Sequence, residues 1–467
     1  MSKQRRRPRD DLPTLTPPAV SADRANESLG PEPSQRRVVI LGAGADTVYG
    51  IPTITDLARE LANFSLNEGA PIQRVLRQKL PRIRFTFEKY ARDQSNVFLA
   101  DLFSSAGDII PTLTSVVEKL KGDEAMAPVG ELIAQLCEMA KHNSVPAATL
   151  AALVRVTGQD FDAGDTEPIL DPQRITLTQV HSDALQTTFR QAMIHGHQLS
   201  DRERGVLALF VEATSNIEQL LSTYFTLFSA GRPADQKTYL YLVWMLWAFL
   251  RARSAKPSDL AQSIYQELPS IGGNVVTFNY TNFFPPVMVE RAKFFHGRLD
   301  QYLRVDDRQV ISDDPALLKA TDIAGIASFL ETLRMDVTDP GAIDLPAIVP
   351  PTSFKPVMSR QQLRTWAAVD DILQHASLLV IVGYSFASAD EHFNDLLRQS
   401  NPRSRVLIVN PDIELPLKNA CRVLGIDRAS LKTSILDGCE RRESGRLIYV
   451  AARGEDVNSA FIDTMSN

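Results

Sequence analysis

The feature that most constrains this chain is a short apolar run that leads directly into a glycine turn. Residues Arg37–Leu41 read Arg-Val-Val-Ile-Leu, and Gly42-Ala43-Gly44 follow at once. Four consecutive β-branched or leucine residues are typical of a buried parallel strand. Two closely spaced glycines let the backbone approach a pyrophosphate at the positive end of a following helix. A tight structural turn is the alternative, because Thr47 stands where the usual fingerprint has its third glycine.

Four further short, largely apolar segments are each followed by polar residues or glycine, and a histidine follows the second of them. The segments are Asn274–Phe278 before Asn279, Lys293–Phe295 before His296, Leu378–Val382 before Gly383-Tyr384-Ser385, and Val406–Val409 before Asn410. In an open parallel sheet, ligands lie beyond the carboxyl ends of the strands. The sequence therefore predicts that these residues converge on one crevice.

This combination resembles the sirtuin-like (silent information regulator) NAD-binding family, and in particular its bacterial defence branch of NAD-cleaving enzymes. The matching segments are Gly42–Ala45, Gly50–Thr53, Thr277–Tyr280, His296-Gly297, Gly383–Phe386 with Asp390, and Val409-Asn410. They cover less than half of the chain, and their order along it gives the resemblance its specificity.

The resemblance implies a fold and a reaction. The fold would be α/β, a doubly wound, mostly parallel Rossmann-like sheet with a large α-helical insertion. The reaction would be hydrolysis of NAD at the nicotinamide–ribose bond, which yields nicotinamide and ADP-ribose. The alternatives are an NAD-dependent protein deacylase or ADP-ribosyltransferase, and a non-catalytic nucleotide-binding regulatory subunit.

By resemblance, two residues would be catalytic. Asn279 would bind the nicotinamide ribose and position water, and His296 would hold the ribose hydroxyls and accept a proton. An asparagine that caps the turn after its strand is the plainer interpretation of Asn279. His195 precedes another glycine, but it comes before Asn279, which reverses the family's order. Asp390 is interpreted either as a charge at a helix N-terminus or as an acid beside the pocket.

The remaining predicted contacts to NAD also follow from the resemblance. Gly42, Ala43 and Gly44 would contact the pyrophosphate. Gly383 and Ser385 would help to hold the phosphates and a ribose, and Asn410 would meet the adenosine ribose.

The chain departs from the family at two positions that bear on chemistry. Thr53 follows Gly-Ile-Pro where deacylating sirtuins continue with Asp-Phe-Arg, so their shielding aromatic residue and arginine are absent. Thr281 stands two residues after Asn279, where the family has an acid. The second change removes the acidic partner expected there, which bears on how nicotinamide is oriented and so on the catalytic rate.

Composition limits the other classes of protein. The 44% hydrophobic and 23% charged residues are those of an ordinary globular protein, and the net charge of −6 does not indicate a generally nucleic-acid-binding surface. No apolar run suits a membrane span and no secretory signal is recognisable, so we expect a cytoplasmic protein. Three cysteines, none in a C-x-x-C pair, cannot form the four-thiolate zinc site of deacylating sirtuins, so neither zinc nor another bound metal is expected.

The pattern along the chain predicts four parts. Residues 1–36 form a proline-rich flexible tail whose arginines leave direct nucleic-acid binding open. Residues 37–94 and 270–425 form the discontinuous sirtuin-like NAD-binding domain, residues 95–269 a helical insertion, and residues 426–467 a C-terminal extension. Within the insertion, residues 239–250 are apolar nearly all round and are expected to be buried.

An unregulated NADase would exhaust a shared cofactor. We therefore expect a homo-oligomer or a complex, by resemblance with a HerA-type hexameric ATPase or a short Argonaute, that acts in anti-phage defence.

Overall fold

The computed structural model describes residues 37–87, 89–90, 92–94, 106–124, 126–142, 187–189, 191–192, 199–200, 202–204, 206–207, 217–254, 263–339, 341–352 and 355–466. The described chain is of the α/β class, and its main sheet has eight strands in the order β3-β2-β1-β7-β8-β11-β10-β9. The first six of these strands are parallel, and β10 and β9 are antiparallel. The strands are β1 (Arg37–Leu41), β2 (Asn274–Thr277), β3 (Ala292–Phe294), β7 (Leu378–Val382), β8 (Arg405–Val409), β9 (Lys432–Leu436), β10 (Cys439–Ser444) and β11 (Leu447–Val450).

Helices cover both faces of this sheet, because alternate residues of each buried strand point to opposite faces. On one face, Val38 and Ile40 pack against α11 (Arg360–His375), α12 (Glu391–Gln399) and α13 (Leu415–Leu424). On the other face, Val39 and Leu41 pack against α7 (Ile264–Ile271), α8 (Pro286–Val289) and α14 (Ser459–Ser466). The two apolar cores explain why the parallel strands are continuous hydrophobic runs.

A third apolar cluster lies beside the main sheet and is built around a helix. It joins α1 (Ile54–Leu66), α2 (Ala70–Lys79), α5 (Ile217–Ser229), α6 (Pro233–Ser254), α9 (Pro315–Lys319) and α10 (Ile323–Thr332) to an antiparallel sheet of β5 (Val310–Ile311), β4 (Gly297–Arg304) and β6 (Asp344–Ile348). The apolar stretch 239–250 is buried as predicted. Trp244 and Trp247 satisfy their indole N–H groups by donating to the carbonyls of Asp344 and Leu299, at 3.0 and 2.8 Å. The two other described helices of residues 95–269, α3 (Ala106–Lys121) and α4 (Ala127–His142), pack against each other.

Three local features differ from what the sequence pattern predicts. The segment 300–344 carries charge and proline without a clear strand pattern, which predicts loops and a short helix, but it contains most of β4, all of β5 and two helices. The apolar residues Ala347–Val349 predict a strand of the main sheet; the strand begins earlier, as β6, and joins the small sheet. The apolar run Leu447–Val450 predicts an edge strand, but β11 pairs with β8 on one side and β10 on the other.

The glycine turn is not followed directly by an α-helix. Two single-turn 3-10 segments, Ala43–Ala45 and Thr47–Tyr49, come first, and α1 starts only at Ile54. Gly50 stops the second segment because its φ of 76° lies in the left-handed region. The sequence pattern predicts that the positive end of a helix lies at the glycine turn. In the structure, the nearest α-helix, α1, begins ten residues after Gly44. In the part of the chain that the structure describes, no helix is both long and apolar enough to cross a membrane.

Candidate functional site

The register of three neighbouring strands brings the predicted residues together. Leu41, at the end of β1, pairs with Thr277 of β2 on one side and with Val382 of β7 on the other. The three strands therefore end at the same level of the sheet. The glycine turn, Asn279 and the turn at Gly383 follow these ends directly, so a single edge carries all three.

Gly42 and Gly44 are required by packing between two turns. A Cβ atom on Gly42 would lie 2.5 Å from the carbonyl oxygen of Gly383, and one on Gly44 would lie 2.8 Å from its Cα. The amides of Gly42 and Gly44 donate to Val382 and Gly383, each at 2.9 Å. The structural alternative therefore accounts for both glycines. Of the three turn residues predicted to contact pyrophosphate, Ala43 is the one that lines the neighbouring cavity.

Asn279 is held by the glycine turn and does not cap its own turn. Its Nδ2 donates to the carbonyl of Gly42 at 3.0 Å, to Oδ1 of Asp46 at 2.7 Å and to the hydroxyl of Tyr265 at 3.1 Å. The residue is 6% exposed. Its Oδ1 accepts no hydrogen bond from the residues that the structure describes.

Asp46 is the centre of this polar cluster. Its carboxylate accepts hydrogen bonds from Tyr265, Asn279 and Thr281, and the residue is 1% exposed. Burial raises the pKa of Asp46 to about 7, because desolvation of the charged form outweighs the three hydrogen bonds that favour it. Near neutral pH this carboxyl is therefore close to the midpoint of its titration.

A second polar cluster contains His296, which follows β3. Its Nε2 lies 3.3 Å from Oδ1 of Asp390 but without hydrogen-bonding geometry. The Nζ of Lys355 lies 3.0 Å from the same oxygen, and Lys355 is only 8% exposed. Asp390 stands at the N-terminus of α12 and also lines the cavity described below, so its placement is compatible with both interpretations, the charge at a helix N-terminus and the acid beside the pocket.

The charges in this second cluster have opposite effects on its two titratable partners. Burial and the Lys355 cation lower the pKa of His296, and together they outweigh Asp390 and the backbone carbonyl of Phe278, which favour the protonated ring. Burial raises the pKa of Asp390, but His296 and Lys355 more than offset this and hold the pKa well below its usual range. The ground state near neutral pH is thus a neutral imidazole beside a lysine–aspartate ion pair.

Both clusters face one cavity of about 880 Å³, its open mouth included. Of the predicted residues, the cavity is lined by Ala43, Asn279, His296, Gly383, Ser385 and Asp390. Gly42, Gly44 and Asn410 are not part of its lining.

Asn410 is used locally, in the turn after β8. Its Oδ1 accepts from the amide of Asp412 at 3.0 Å.

The turn after β7 contains a strained residue. Phe386 is fully buried there with a φ of 55°, which is strained for a residue with a side chain. The strain lies one residue after Ser385, within the loop that lines the cavity.

No protein-family model matches this chain, and no curated protein matches its sequence. The assignment of the site therefore rests on geometry and chemistry alone.

A second cavity, of about 1070 Å³, lies between β3, the small sheet and α11, and it includes Lys293 and Arg298. It contains neither Asn279 nor His296. We therefore place the candidate active site in the first cavity, which is lined by an imidazole and by an amide whose oxygen accepts no hydrogen bond from the described residues. Among the described residues, no group of three or more histidine, cysteine, aspartate or glutamate side chains is arranged to hold a metal ion.

Three site residues were not identified from the sequence. Asp46 stands directly after the glycine turn, and that position was the available signal. Tyr265 belongs to the apolar face of α7, where it is indistinguishable from a core residue. Lys355 lies in a proline-containing segment without periodicity, so no pattern marked it. His195, the other histidine that precedes a glycine, lies outside the described residues, as does Glu88 of the Phe87-Glu88 pair, which resembles a pair in the defence branch of the family.

Proposed function

We propose that this chain is an NAD hydrolase that cleaves the nicotinamide–ribose bond in the cavity lined by Asn279 and His296. The observation that carries the proposal is the convergence of two groups at the carboxyl edge of a mostly parallel sheet: a neutral imidazole, and an amide oxygen that accepts no hydrogen bond within the described part of the chain. This edge is where dinucleotides bind in Rossmann-like folds, with which the architecture is compatible.

The reaction does not require a strong acid in the pocket. The electron pair of the bond between C1′ and the nicotinamide nitrogen leaves with nicotinamide, which departs as a neutral molecule. The ribose passes through an oxocarbenium-like transition state, as in glycoside hydrolysis. Water then adds its oxygen to C1′ and loses one proton, which gives ADP-ribose.

Asn279 suits the task of holding the ribose and the water. Its amide nitrogen is committed to the glycine turn, Asp46 and Tyr265. Its carbonyl oxygen is therefore left to accept from a ribose hydroxyl or from the attacking water. A fixed acceptor at this position orients the nucleophile without reorganisation during the reaction.

His296 suits the task of accepting the proton. Its lowered pKa keeps the ring neutral, and therefore basic, at neutral pH. Once the ring is protonated, Asp390 at 3.3 Å would stabilise the imidazolium. A ligand hydroxyl that approached Nε2 would supply the hydrogen-bond partner that this buried atom lacks.

Incubation of the purified protein with NAD, followed by chromatography of the products, tests the proposal. We expect free nicotinamide and ADP-ribose in equal amounts without any protein acceptor. Asn279→Ala and His296→Ala should each lower kcat by about 100-fold or more. The matched control is His375→Ala, because His375 is exposed on α11 and remote from the cavity. Equal turnover by His296→Ala and His375→Ala would refute the assignment.

The product pattern also separates the alternatives. An NAD-dependent deacylase or ADP-ribosyltransferase would release nicotinamide only with an acceptor, and a regulatory subunit would bind NAD or ADP-ribose without turnover. By the resemblance, the enzyme would deplete NAD in anti-phage defence as a homo-oligomer or with a HerA-type ATPase or short Argonaute. Mass photometry of the active species tests that part, since a fully active monomer would contradict it.

A further inference from the structure

Asp46 has no role in the reaction described so far, and yet it is the most deeply buried carboxyl group at the site. It comes from the glycine turn, whereas Asn279 follows a different strand. A buried carboxyl costs stability that a serine or an asparagine would not. Its retention beside Asn279 calls for a reason other than folding.

The contacts of Asn279 give that reason. A carboxamide can sit in its pocket in two orientations of nearly equal shape, and only its hydrogen-bond partners distinguish them. The flipped orientation would bring Oδ1 of Asn279 against the carbonyl of Gly42 and Oδ1 of Asp46. Oδ1 of Asn279 would then face two other hydrogen-bond acceptors, with no proton between it and either of them. The flipped orientation is therefore disfavoured.

We propose that Asp46 is a positioning residue that holds Asn279 with its carbonyl oxygen toward the cavity. The proposal rests on the NAD hydrolase function and names the group that prepares its asparagine. Asp46 would supply, from the turn after β1, the carboxylate that the chain lacks two residues after Asn279. The residue at that place, Thr281, donates its hydroxyl to the same carboxyl group.

Thr281 also explains why the Asn279 amide keeps its orientation when Asp46 gains or loses a proton. Its hydroxyl can donate to the ionised carboxylate or accept from the protonated acid. In either state Oδ1 of Asp46 remains an acceptor for Asn279. The titratable group that contacts Asp46 among the described residues is Tyr265, whose hydroxyl donates to the same oxygen.

The test is an exchange of the two side chains in the full-length protein. Asp46→Thr should lower kcat by about 100-fold with little change in KM, because a bound ribose would meet a misoriented amide. The double variant Asp46→Thr with Thr281→Asp restores an acid beside the amide and should recover most of the lost kcat. His375→Ala, which changes an exposed residue of α11 outside the cavity lining, is the control and should keep the wild-type kcat. Circular dichroism and thermal melting establish that each variant is folded.

The outcomes separate this inference from the proposed function. A wild-type protein that releases no nicotinamide refutes the hydrolase. A wild-type enzyme that turns over while Asp46→Thr keeps its kcat, or while the exchange recovers none of it, refutes the positioning role.

A readout independent of turnover is the side-chain NH₂ signal of Asn279 in protein labelled with ¹⁵N-asparagine, assigned with Asn279→Asp. That signal should titrate with pH in the wild type and lose its titration in Asp46→Thr. A signal that is unaffected by the substitution would also overturn the positioning role.

Discussion

Replacing Asp46 by asparagine should stabilise the protein at neutral and alkaline pH and leave its stability in mild acid nearly unchanged. Burial raises the pKa of Asp46 from 3.8 to about 7 in the folded protein. The folded state therefore holds this proton more tightly than the unfolded chain does. The stability that the group contributes is fully present below about pH 4 and is lost as the pH rises through 7.

The size of the effect follows from the pKa difference. A difference of about 3 between 3.8 and about 7 corresponds to about 4 kcal/mol of unfolding free energy. Asparagine has nearly the same shape and does not ionise. The variant should therefore match the wild type near pH 4 and exceed it by up to about 4 kcal/mol at pH 8.

Urea denaturation of both proteins at pH 4, 6 and 8 measures this difference, and other titrating groups cancel in the comparison. Asp313→Asn is the control, because Asp313 is exposed and its charge remains in water in both states. A free-energy difference between Asp46→Asn and the wild type that stays constant from pH 4 to pH 8 would refute the reasoning.

Three further predictions concern the neighbours of the cavity. Lys355→Met removes a cation that lowers the pKa of His296, so the acid limb of the pH–rate profile should move to higher pH; an unmoved limb contradicts the assignment of the base. Gly42→Ala puts a Cβ 2.5 Å from a backbone oxygen of the turn after β7 and should cost about 1–3 kcal/mol in urea denaturation, so an unchanged midpoint would contradict the packing argument. Thr281→Val removes a hydrogen bond that lowers the pKa of Asp46, so that pKa should rise above 7 in a ¹³C-aspartate NMR titration, and a fall would contradict the assignment of Thr281 as a donor that favours the carboxylate.

The sequence predicted the central strands well because burial on both faces leaves an unambiguous pattern. Arg37–Leu41 and Leu378–Val382 are strands with the predicted bounds, and their parallel order brings the following turns together. Strand β4 was missed because its sequence, Gly-Arg-Leu-Asp-Gln-Tyr-Leu-Arg, carries four charged or amide side chains. It also begins where the chain passes from the main sheet to the small antiparallel sheet. Strand β6 contains Pro346, which argues against a strand unless, as here, it lies at a sheet edge.

The contacts within the site could not be predicted in the same way. Asp46 and Asn279 are 233 residues apart in sequence, and nothing in either segment alone indicates their hydrogen bond. The glycines illustrate an ambiguity of pattern, because a sequence that resembles a phosphate-binding turn also satisfies the packing of two turns. Fold-level patterns report burial and periodicity, whereas polar contacts depend on how separate elements meet.

The strongest indication that the cavity performs chemistry is that it holds two carboxyl groups with opposite environments. Asp46 is surrounded by neutral donors, and burial raises its pKa to about 7. Asp390 lies between His296 and Lys355, which hold its pKa well below its usual range. Pairs of titratable groups whose pKa values are driven apart in one pocket are characteristic of acid–base assignments. In the proposed reaction, Asp390 would be the anion that stabilises a proton on His296. Asp46 remains near its titration midpoint at neutral pH, which suits a group that must orient an amide and need not carry a charge.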